Sequence, residues 1–266
     1  MRRLLLGWIF VLCLVLSSPA SAQFRYVTTP FRDGEQLTYK VKWGFVRLGT
    51  MLMRQSATDP FLFDTMKVVL EGNSAAGLPF ISVRFITTAL LDIHRPSNAW
   101  YELVPGNNPR TRTIYKTISD SGYALAISTE EDVPVRTDTL SVDPPFYDGT
   151  GLFMLARCAA GSDTTLVLPT VMEHALGKTT IVFTSAIEEI SVPAFERPIR
   201  AHEFHGETDW VGAMFAGMSG GFRGWVSTDD ARRILRAEVK LFLGSAAIEL
   251  EEVGVATQDT RSKTKD

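Results

Sequence analysis

The sequence predicts an all-β fold, a single antiparallel curved sheet that forms a barrel or half-barrel, with one helix near residues 144–160. Apolar and polar residues alternate from Leu37 to Phe45 and along many later segments, and a period of two is typical of a strand with one buried face. Turn-forming residues such as Asp120-Ser121-Gly122 separate these segments at hairpin spacing. Because few helical segments intervene, we expect antiparallel pairing, and a large twisted sheet of this kind tends to curl.

Strands are predicted along most of the chain after residue 34. Arg47-Leu48-Gly49 is expected to form the turn that follows the first strand, and the run from Pro105 to Pro109 is expected to be a strong break. Strands at this spacing favour a sheet built of hairpins. The predicted strands are residues 37–45, 50–57, 62–71, 83–93, 110–118, 123–129, 135–142, 164–168, 180–190, 201–208, 210–215, 222–227, 235–243 and 246–253.

One segment has the features of a helix. Asp143 can cap it, Pro144 suits its first turn, and residues 146–160 contain few β-branched side chains. Gly161 can end it, because glycine readily takes the left-handed conformation that follows many helix ends. We therefore expect one helix to pack over an opening or an edge of the sheet.

The first 22 residues have the layout of a cleavable signal peptide. Arg2 and Arg3 give a short positive start, residues 4–16 are apolar, and Ala20-Ser21-Ala22 places small residues where a signal peptidase cleaves. The apolar run is too short for a permanent membrane span, although an uncleaved anchor is the alternative interpretation. This segment predicts export to the periplasm, or secretion, with cleavage after Ala22.

The mature chain is predicted to form one domain. Residues 23–34 are expected to be a lead-in, residues 35–255 a single β domain and residues 256–266 a flexible tail. No linker or repeat of fixed period divides the domain, and all-β domains often reach this size. The hydrophobic content of 45% is ample for a core.

Charge and cysteine content argue against several classes of function. Loss of Arg2 and Arg3 from 27 basic residues leaves 25 against 30 acidic ones, a net charge of −5, which disfavours a nucleic-acid partner and an anionic membrane surface. Cys158 is then the one cysteine, so no internal disulfide can form, and no base motif adjoins it to activate the thiol. The sequence predicts no cofactor and, after cleavage, no membrane-spanning helix.

Two segments of the mature chain carry a family resemblance. The segment from Gly34 to Gly49, and the segment from Trp225 through Ile234 to Leu250 with its Trp-x-Ser-x-Asp turn and Gly244-Ser245 pair, resemble a family of exported bacterial proteins called domain of unknown function 3108. Here Ile234 and Leu235 follow Arg233, where members usually have a proline. The resemblance implies an exported, cell-envelope β protein and implies no activity.

The pentapeptide from Gly217 to Gly221 matches the Gly-x-Ser-x-Gly pattern of hydrolases, with Ser219 as the would-be nucleophile. In those enzymes the serine sits on a strained turn between a strand and a helix. Here residues 222–227 are predicted to be a strand, and the glycines of this region disfavour a helix. The alternative interpretation, a glycine-rich hairpin, is therefore favoured.

A metal site is the second catalytic alternative, with His202, His205 and Glu207 as its residues. Two histidines three apart share one face of a helix and could bind a metal there. In a strand, residues three apart point to opposite faces. Because Pro198 and Gly206 favour a strand here, we expect histidines that diverge.

Asp229 and Asp230 stand beside Arg232 and Arg233. Paired carboxylates can serve acid–base or Ca²⁺ chemistry. Aspartates in turns also satisfy their own backbone groups, and the neighbouring arginines would neutralise them. A structural turn is the favoured interpretation.

Aromatic and methionine residues could line a cavity for an apolar ligand, since flexible thioethers and rings suit irregular apolar partners. The alternative is that they are simply the core of the sheet. The candidate ligand contacts are Trp43, Met53, Phe85, Trp210, Phe215, Phe222 and Trp225.

Two classes of function follow from the sequence. The first is a non-catalytic envelope protein that binds an apolar ligand, an envelope component or a partner protein. The second is an envelope hydrolase or metal-dependent enzyme that uses Ser219, or His202 and His205 with Glu207. The first is favoured because no catalytic motif has the sequence context that its chemistry requires.

Overall fold

The structure is a computed structural model. It describes residues 26–58, 64–77, 84–105, 111–118, 123–131, 133–142, 145–212, 218–240 and 245–255. In this part of the chain, fourteen strands form one antiparallel sheet, against which the helix α1 (Gly149–Ala159) packs. The strands are β1 (Glu35–Trp43), β2 (Val46–Ala57), β3 (Thr65–Ser74), β4 (Arg84–Asp92), β5 (Asn98–Pro105), β6 (Thr111–Ile118), β7 (Tyr123–Glu130), β8 (Val133–Ser141), β9 (Thr165–Met172), β10 (Ala175–Ile190), β11 (Ile199–Gly212), β12 (Met218–Ser227), β13 (Ile234–Lys240) and β14 (Ser245–Val255).

The strands of the sheet follow the order β8-β7-β6-β5-β4-β3-β2-β1-β14-β13-β12-β11-β10-β9. Each strand pairs with its neighbours in sequence, except that β8 and β9 do not pair with each other. The first strand, β1, also pairs with the last, β14. The sheet wraps around α1 and does not close, because β8 and β9 form its two edges. The prediction of an all-β fold with a large antiparallel sheet and one helix is confirmed, in the half-barrel form.

The antiparallel order places alternate connections at opposite ends of the sheet. We call the end that carries the β1–β2 hairpin, at Gly44 and Phe45, the upper end. The opposite end, where β1 begins at Glu35 and the turn between β12 and β13 lies, is the lower end. The helix α1 ends at the lower end, since the side chain of Arg157 contacts both Glu35 and Ala231.

The helix begins later than the sequence predicted. Its N-cap is Asp148, whose Oδ1 accepts a hydrogen bond of 2.6 Å from the backbone N–H of Gly151. Asp143 and Pro144, the predicted start, lie outside the described residues. Residues before Asp148 instead form a bridge in which Tyr147 pairs with Thr170 of β9, which keeps them extended. The predicted end is confirmed, because Gly161 has a left-handed φ of 76°.

Three of the differences between the predicted and the observed strands have a local cause. The first hairpin turns at Gly44 and Phe45 rather than at residues 47–49, because Gly44 takes a left-handed φ of 57° and the chain is then extended from Val46. The strand β5 was not predicted, since its apolar residues do not alternate. The strand β11 runs unbroken through residues predicted as two strands, with a register shift between Thr208 and Gly212 that accommodates the irregular pattern.

The side chain of His174 connects the two edges of the sheet. His174, in the turn between β9 and β10, has its Nδ1 2.9 Å from Oδ2 of Asp138 in β8, and its Nε2 contacts Oγ of Ser128 in β7. Below this contact an open cleft of about 620 Å³ separates the edges, with Tyr147 and Val167 among its walls. In the described part of the chain, no helix is long and apolar enough to cross a membrane.

Candidate functional site

An apolar cavity of about 180 Å³ lies between α1 and the concave face of the sheet. Leu152 and Phe153 of the helix form one wall, and Ile181, Phe204 and Phe222 of neighbouring strands form another. Its few polar boundary groups include Thr208 and Arg223, and Thr208 belongs to the upper part of β11. A dry cavity of about 150 Å³ is large enough to bind benzene, so this space can hold a ring or a short acyl segment.

Small residues leave this space open where the helix crosses the sheet. Ala156 of α1 and Ala237 of β13 both line the cavity, and neither side chain is long enough to fill it. Glycines also allow the aromatic wall to lie flat, because a Cβ atom on Gly224 would stand 2.5 Å from the ring of Phe204. A Cβ atom on Gly206 would stand equally close, at 2.5 Å, to the ring of Phe222. The glycines of this region therefore allow the aromatic rings to pack closely against the strands and form the cavity wall.

A buried ionic network closes the lower end beneath α1. The guanidinium of Arg157, fully buried, donates from Nη2 to Glu35 at 2.7 Å and to the carbonyl of Ala231 at 2.8 Å. Glu35 also accepts from Gln55 at 2.7 Å and from Arg233 at 3.2 Å. Buried charges persist only when paired and hydrogen-bonded, and these contacts supply both conditions. The network joins β1, β2, α1 and the turn before β13.

Tyr39 lies between this network and the cavity. Its ring packs edge-on against Phe153 with a centroid separation of 5.8 Å, and Phe153 is a cavity wall. Burial raises the pKa of the Tyr39 hydroxyl above its ordinary value, so the group stays neutral. Its oxygen has no hydrogen-bond partner in the part of the chain that the structure describes.

The turn that contains Asp229 is held by its own side chains. Oδ1 of Asp229 accepts from Oγ of Ser227 at 2.6 Å and from the backbone N–H of Arg232 at 3.1 Å. The N–H of Arg233 donates to Oγ of Ser227 at 2.8 Å. These contacts give Asp229 the structural role that the sequence favoured for it.

Ser219 lies in β12, and the residues after it continue the same strand to Ser227. The strand-to-helix elbow that activates a hydrolase serine is therefore missing at this position. The side chain of Ser219 lies outside the described residues, as does Gly217.

The structure separates the residues of the predicted metal site. His202 points toward the helix end, where a Cβ atom on Gly161 would stand 2.7 Å from its ring, and its Nδ1 lies 3.3 Å from the carbonyl of Ala186. His205, three residues along the extended strand β11, lies on the other face beside Glu207 in an open outer groove. The described residues contain no group of three His, Cys, Asp or Glu side chains placed to hold a metal. The expectation that these histidines diverge is confirmed.

The candidate ligand contacts fall in different places. Phe222 lines the cavity. Neither Met53 nor Phe85 lines the cavity. Met53 is buried against the guanidinium of Arg157, and Phe85 packs over Gly72. Trp43 is at the upper end of β1, the side chain of Trp210 is not described, and Phe215 lies outside the described residues.

Trp225 is buried in the hydrophobic core, on the face of β12 opposite the cavity. Its Nε1 donates to Glu188 at 3.1 Å, and the guanidinium groups of Arg223 and Arg236 lie 5.0 and 5.8 Å from its ring. The neighbouring Gly224 faces Phe204 across the cavity side, and successive strand residues point to opposite faces. Trp225 therefore does not line the cavity, contrary to the prediction.

Cys158 is buried in the helix. Burial raises the pKa of its thiol to about 12, so the group is protonated at neutral pH. Because the thiolate is the nucleophile, this environment agrees with the expectation of an unreactive cysteine.

Arg157 and Glu35 were not among the functional residues predicted from the sequence. Arg157 is the one charged residue of α1, and apolar residues stand on both sides of it at Leu155, Ala156 and Cys158. A lone charge within an otherwise apolar helix was the available signal, because such a helix is buried on most sides and its charge must be paired there. Its partner could not be read from the sequence, since Glu35 is 122 residues away.

The chain is similar to known proteins in its fold. No protein-family model matches the chain, and no curated protein matches it. Among solved structures, the chain is similar to a β-barrel-like protein of domain of unknown function 1849 from Brucella abortus, with a TM-score of 0.54 and 8% identity over 84% of this chain and 98% of that one. A protein from Bacteroides fragilis with a YmcC-like fold, predicted to be exported, gives a TM-score of 0.38 and 12% identity over 85% of this chain and 97% of that one.

The first of these similarities shows a β-barrel-like fold, and the TM-score of the second is too low to carry an argument. The fold and the site therefore define a β-barrel-like protein with one helix packed inside a half-open sheet. The resemblance to domain of unknown function 3108 stays a prediction from the sequence.

Proposed function

We propose that the chain is an exported cell-envelope protein that binds a small apolar group in the cavity between α1 and the sheet. The observation that carries the proposal is the cavity itself, a space of about 180 Å³ with almost wholly apolar walls. Ligand pockets are concave and mostly apolar, with a few polar groups that orient the ligand. The cavity is smaller than the usual range of about 300–1,000 Å³, which favours a small ring or the end of one acyl chain.

Export is supported by the signal-like residues 1–22. The mature chain would begin at Gln23 in the periplasm. N-terminal sequencing of the protein from the periplasm of a bacterial host tests the cleavage site, and a first residue other than Gln23 contradicts it.

Binding is tested with two defined probes, benzene and decanoate, followed by NMR on the purified protein. The variant Ala237→Leu fills the cavity from the sheet side, so we expect it to lose probe binding while the unfolding free energy stays equal or rises. Ala57→Leu, at an exposed position of β2, is the control and should bind like the wild type. The proposal is contradicted if the wild type binds neither benzene nor decanoate, or if Ala237→Leu binds them as well as the wild type does.

Native mass spectrometry and organic extraction of the protein from its host address the natural ligand. We expect an apolar molecule of low mass that the wild type retains and Ala237→Leu does not. An extract with equal content from both proteins would show that the molecule is held elsewhere.

A further inference from the structure

We propose that the upper end of the sheet docks on the surface of a lipid bilayer through the β1–β2 hairpin. The docking tip consists of Trp43, Phe45 and Val46, whose exposed fractions are 43%, 100% and 37%. Single exposed apolar side chains are ordinary, but three within four residues at a hairpin tip form a local apolar projection. The inference stands apart from the proposed function, because it does not require a ligand in the cavity.

The geometry of the hairpin projects these side chains beyond the sheet. Gly44 turns the chain with a left-handed φ of 57°, and beyond its two chain neighbours no atom of the described residues lies within 4 Å of where its Cβ would be. Phe45 follows at the tip, and in the described part of the chain its side chain is fully exposed to solvent. Tryptophan is enriched where membranes meet water, and phenylalanine inserts at the boundary between head groups and acyl chains.

The charges at the same end complement lipid phosphates. Six adjacent strands, from β4 through β3, β2, β1 and β14 to β13, carry no carboxylate on the two residues of each strand that lie nearest the upper end. Lys42 and Arg47 do form ion pairs, at 2.6 and 2.7 Å, with carboxylates of β14 that lie farther from the end. The cations at this end are Arg84, Arg47, Lys42 and Lys240.

Basic groups near a bilayer contribute about 1 kcal/mol each when the lipids are anionic. The net charge of −5 for the mature chain does not describe this end, because it averages over acidic groups elsewhere. Because Lys42 and Arg47 are paired with Glu249 and Glu251, Arg84 and Lys240 carry the positive charge left at this end. This local charge favours an anionic bilayer, although the overall charge argues against one.

The proposal is tested by co-flotation with vesicles of phosphatidylcholine, alone or with roughly one quarter phosphatidylglycerol. The protein is purified from the periplasm of a bacterial host, so that the signal segment does not itself bind lipid. We expect the wild type to float with the mixed vesicles. The variant Phe45→Asp should lower the partition coefficient by about ten-fold or more, because burial of one phenylalanine is worth that much.

The matched control is Val255→Asp, a change of an 80% exposed valine at the lower end. It should stay within about two-fold of the wild type, because both variants add the same charge and only one changes the docking tip. Circular dichroism should be the same for all three proteins, since both positions are exposed. The proposal is overturned if the wild type does not float, if Phe45→Asp floats equally well, or if Val255→Asp loses as much. It is also overturned if sedimentation without lipid shows that Phe45 holds two copies of the chain together.

Discussion

Arg157 and Arg232 each donate a hydrogen bond to the backbone of the other. Nε of Arg157 lies 2.9 Å from the carbonyl oxygen of Arg232, and Nε of Arg232 lies 2.7 Å from the carbonyl oxygen of Arg157. The exchange ties the end of the helix to the turn between β12 and β13. It also supplies donors to helix-end carbonyls, which have no partner within the helix. This pair of residues thus holds the end of α1 against the turn at the lower end of the sheet.

Arg157→Met should destabilise the fold by about 3–5 kcal/mol, since loss of one member of a buried ion pair leaves the other charge poorly compensated. Glu35 would retain Arg233 and Gln55 but lose its closest cation. Urea unfolding followed by circular dichroism measures the change. The control Arg54→Met removes a partly exposed partner of Glu71 and should cost less than about 1 kcal/mol. Equal effects of the two variants would show that the buried network does not stabilise the fold.

Arg232 combines a helix-capping side chain with a left-handed backbone at a φ of 45°. Arg232→Ala removes the donors to the helix end and keeps the backbone strain, so it should lower stability by about 1–2 kcal/mol. Arg232→Gly removes the same donors but relieves the strain, and it should be about 1 kcal/mol more stable than the alanine variant. The thermal midpoints of the two variants give the comparison. An alanine variant as stable as the glycine variant would contradict the assignment of strain.

Gly161 should not tolerate a side chain. Its left-handed φ of 76° costs an alanine about 1–2 kcal/mol, and the new Cβ would stand 2.7 Å from the ring of His202. Gly161→Ala should therefore be destabilised by both causes. Adding His202→Ala should recover the steric part alone, which a double-mutant cycle in urea separates. Full additivity of the two changes would show that the ring does not press on this position.

Glu249 should make stability depend on acid pH. Burial opposes its ionisation, but hydrogen bonds from Lys42 and Lys40 outweigh the burial and hold the pKa of the carboxyl below its ordinary value. A lowered pKa stabilises the fold above the pKa of the unfolded chain, and this contribution is lost as the pH falls through the lower value of the folded state.

Glu249→Gln tests this assignment through the unfolding free energy in urea between about pH 7 and pH 3. At neutral pH the variant should be less stable than the wild type. The difference should shrink as the pH falls below about 4, where the wild-type carboxyl also becomes neutral. A difference that stays constant over this range would rule out the ionised carboxylate as its source.

The sequence by itself determined the class of fold. Alternation with a period of two is a local property of each strand. The residues of β1 or β13 therefore predict a half-buried strand, whichever strands they pair with. The helix end at Gly161 was equally local, because it depends on one residue that can take a positive φ. The predicted helix and the hairpin spacing also depend on residues that are close together in the sequence.

Tertiary structure decided what the residues do. Trp225 was predicted to line the cavity but does not, because its neighbour Gly224 faces the cavity. A shift of one residue along a strand moves a side chain to the opposite face. The pairing of Arg157 with Glu35 spans 122 residues, and the cavity is the space that remains where α1 crosses distant strands. Such features arise from the register and packing of segments far apart in the chain. The alternation that identifies each strand carries no information about which distant segment it will meet.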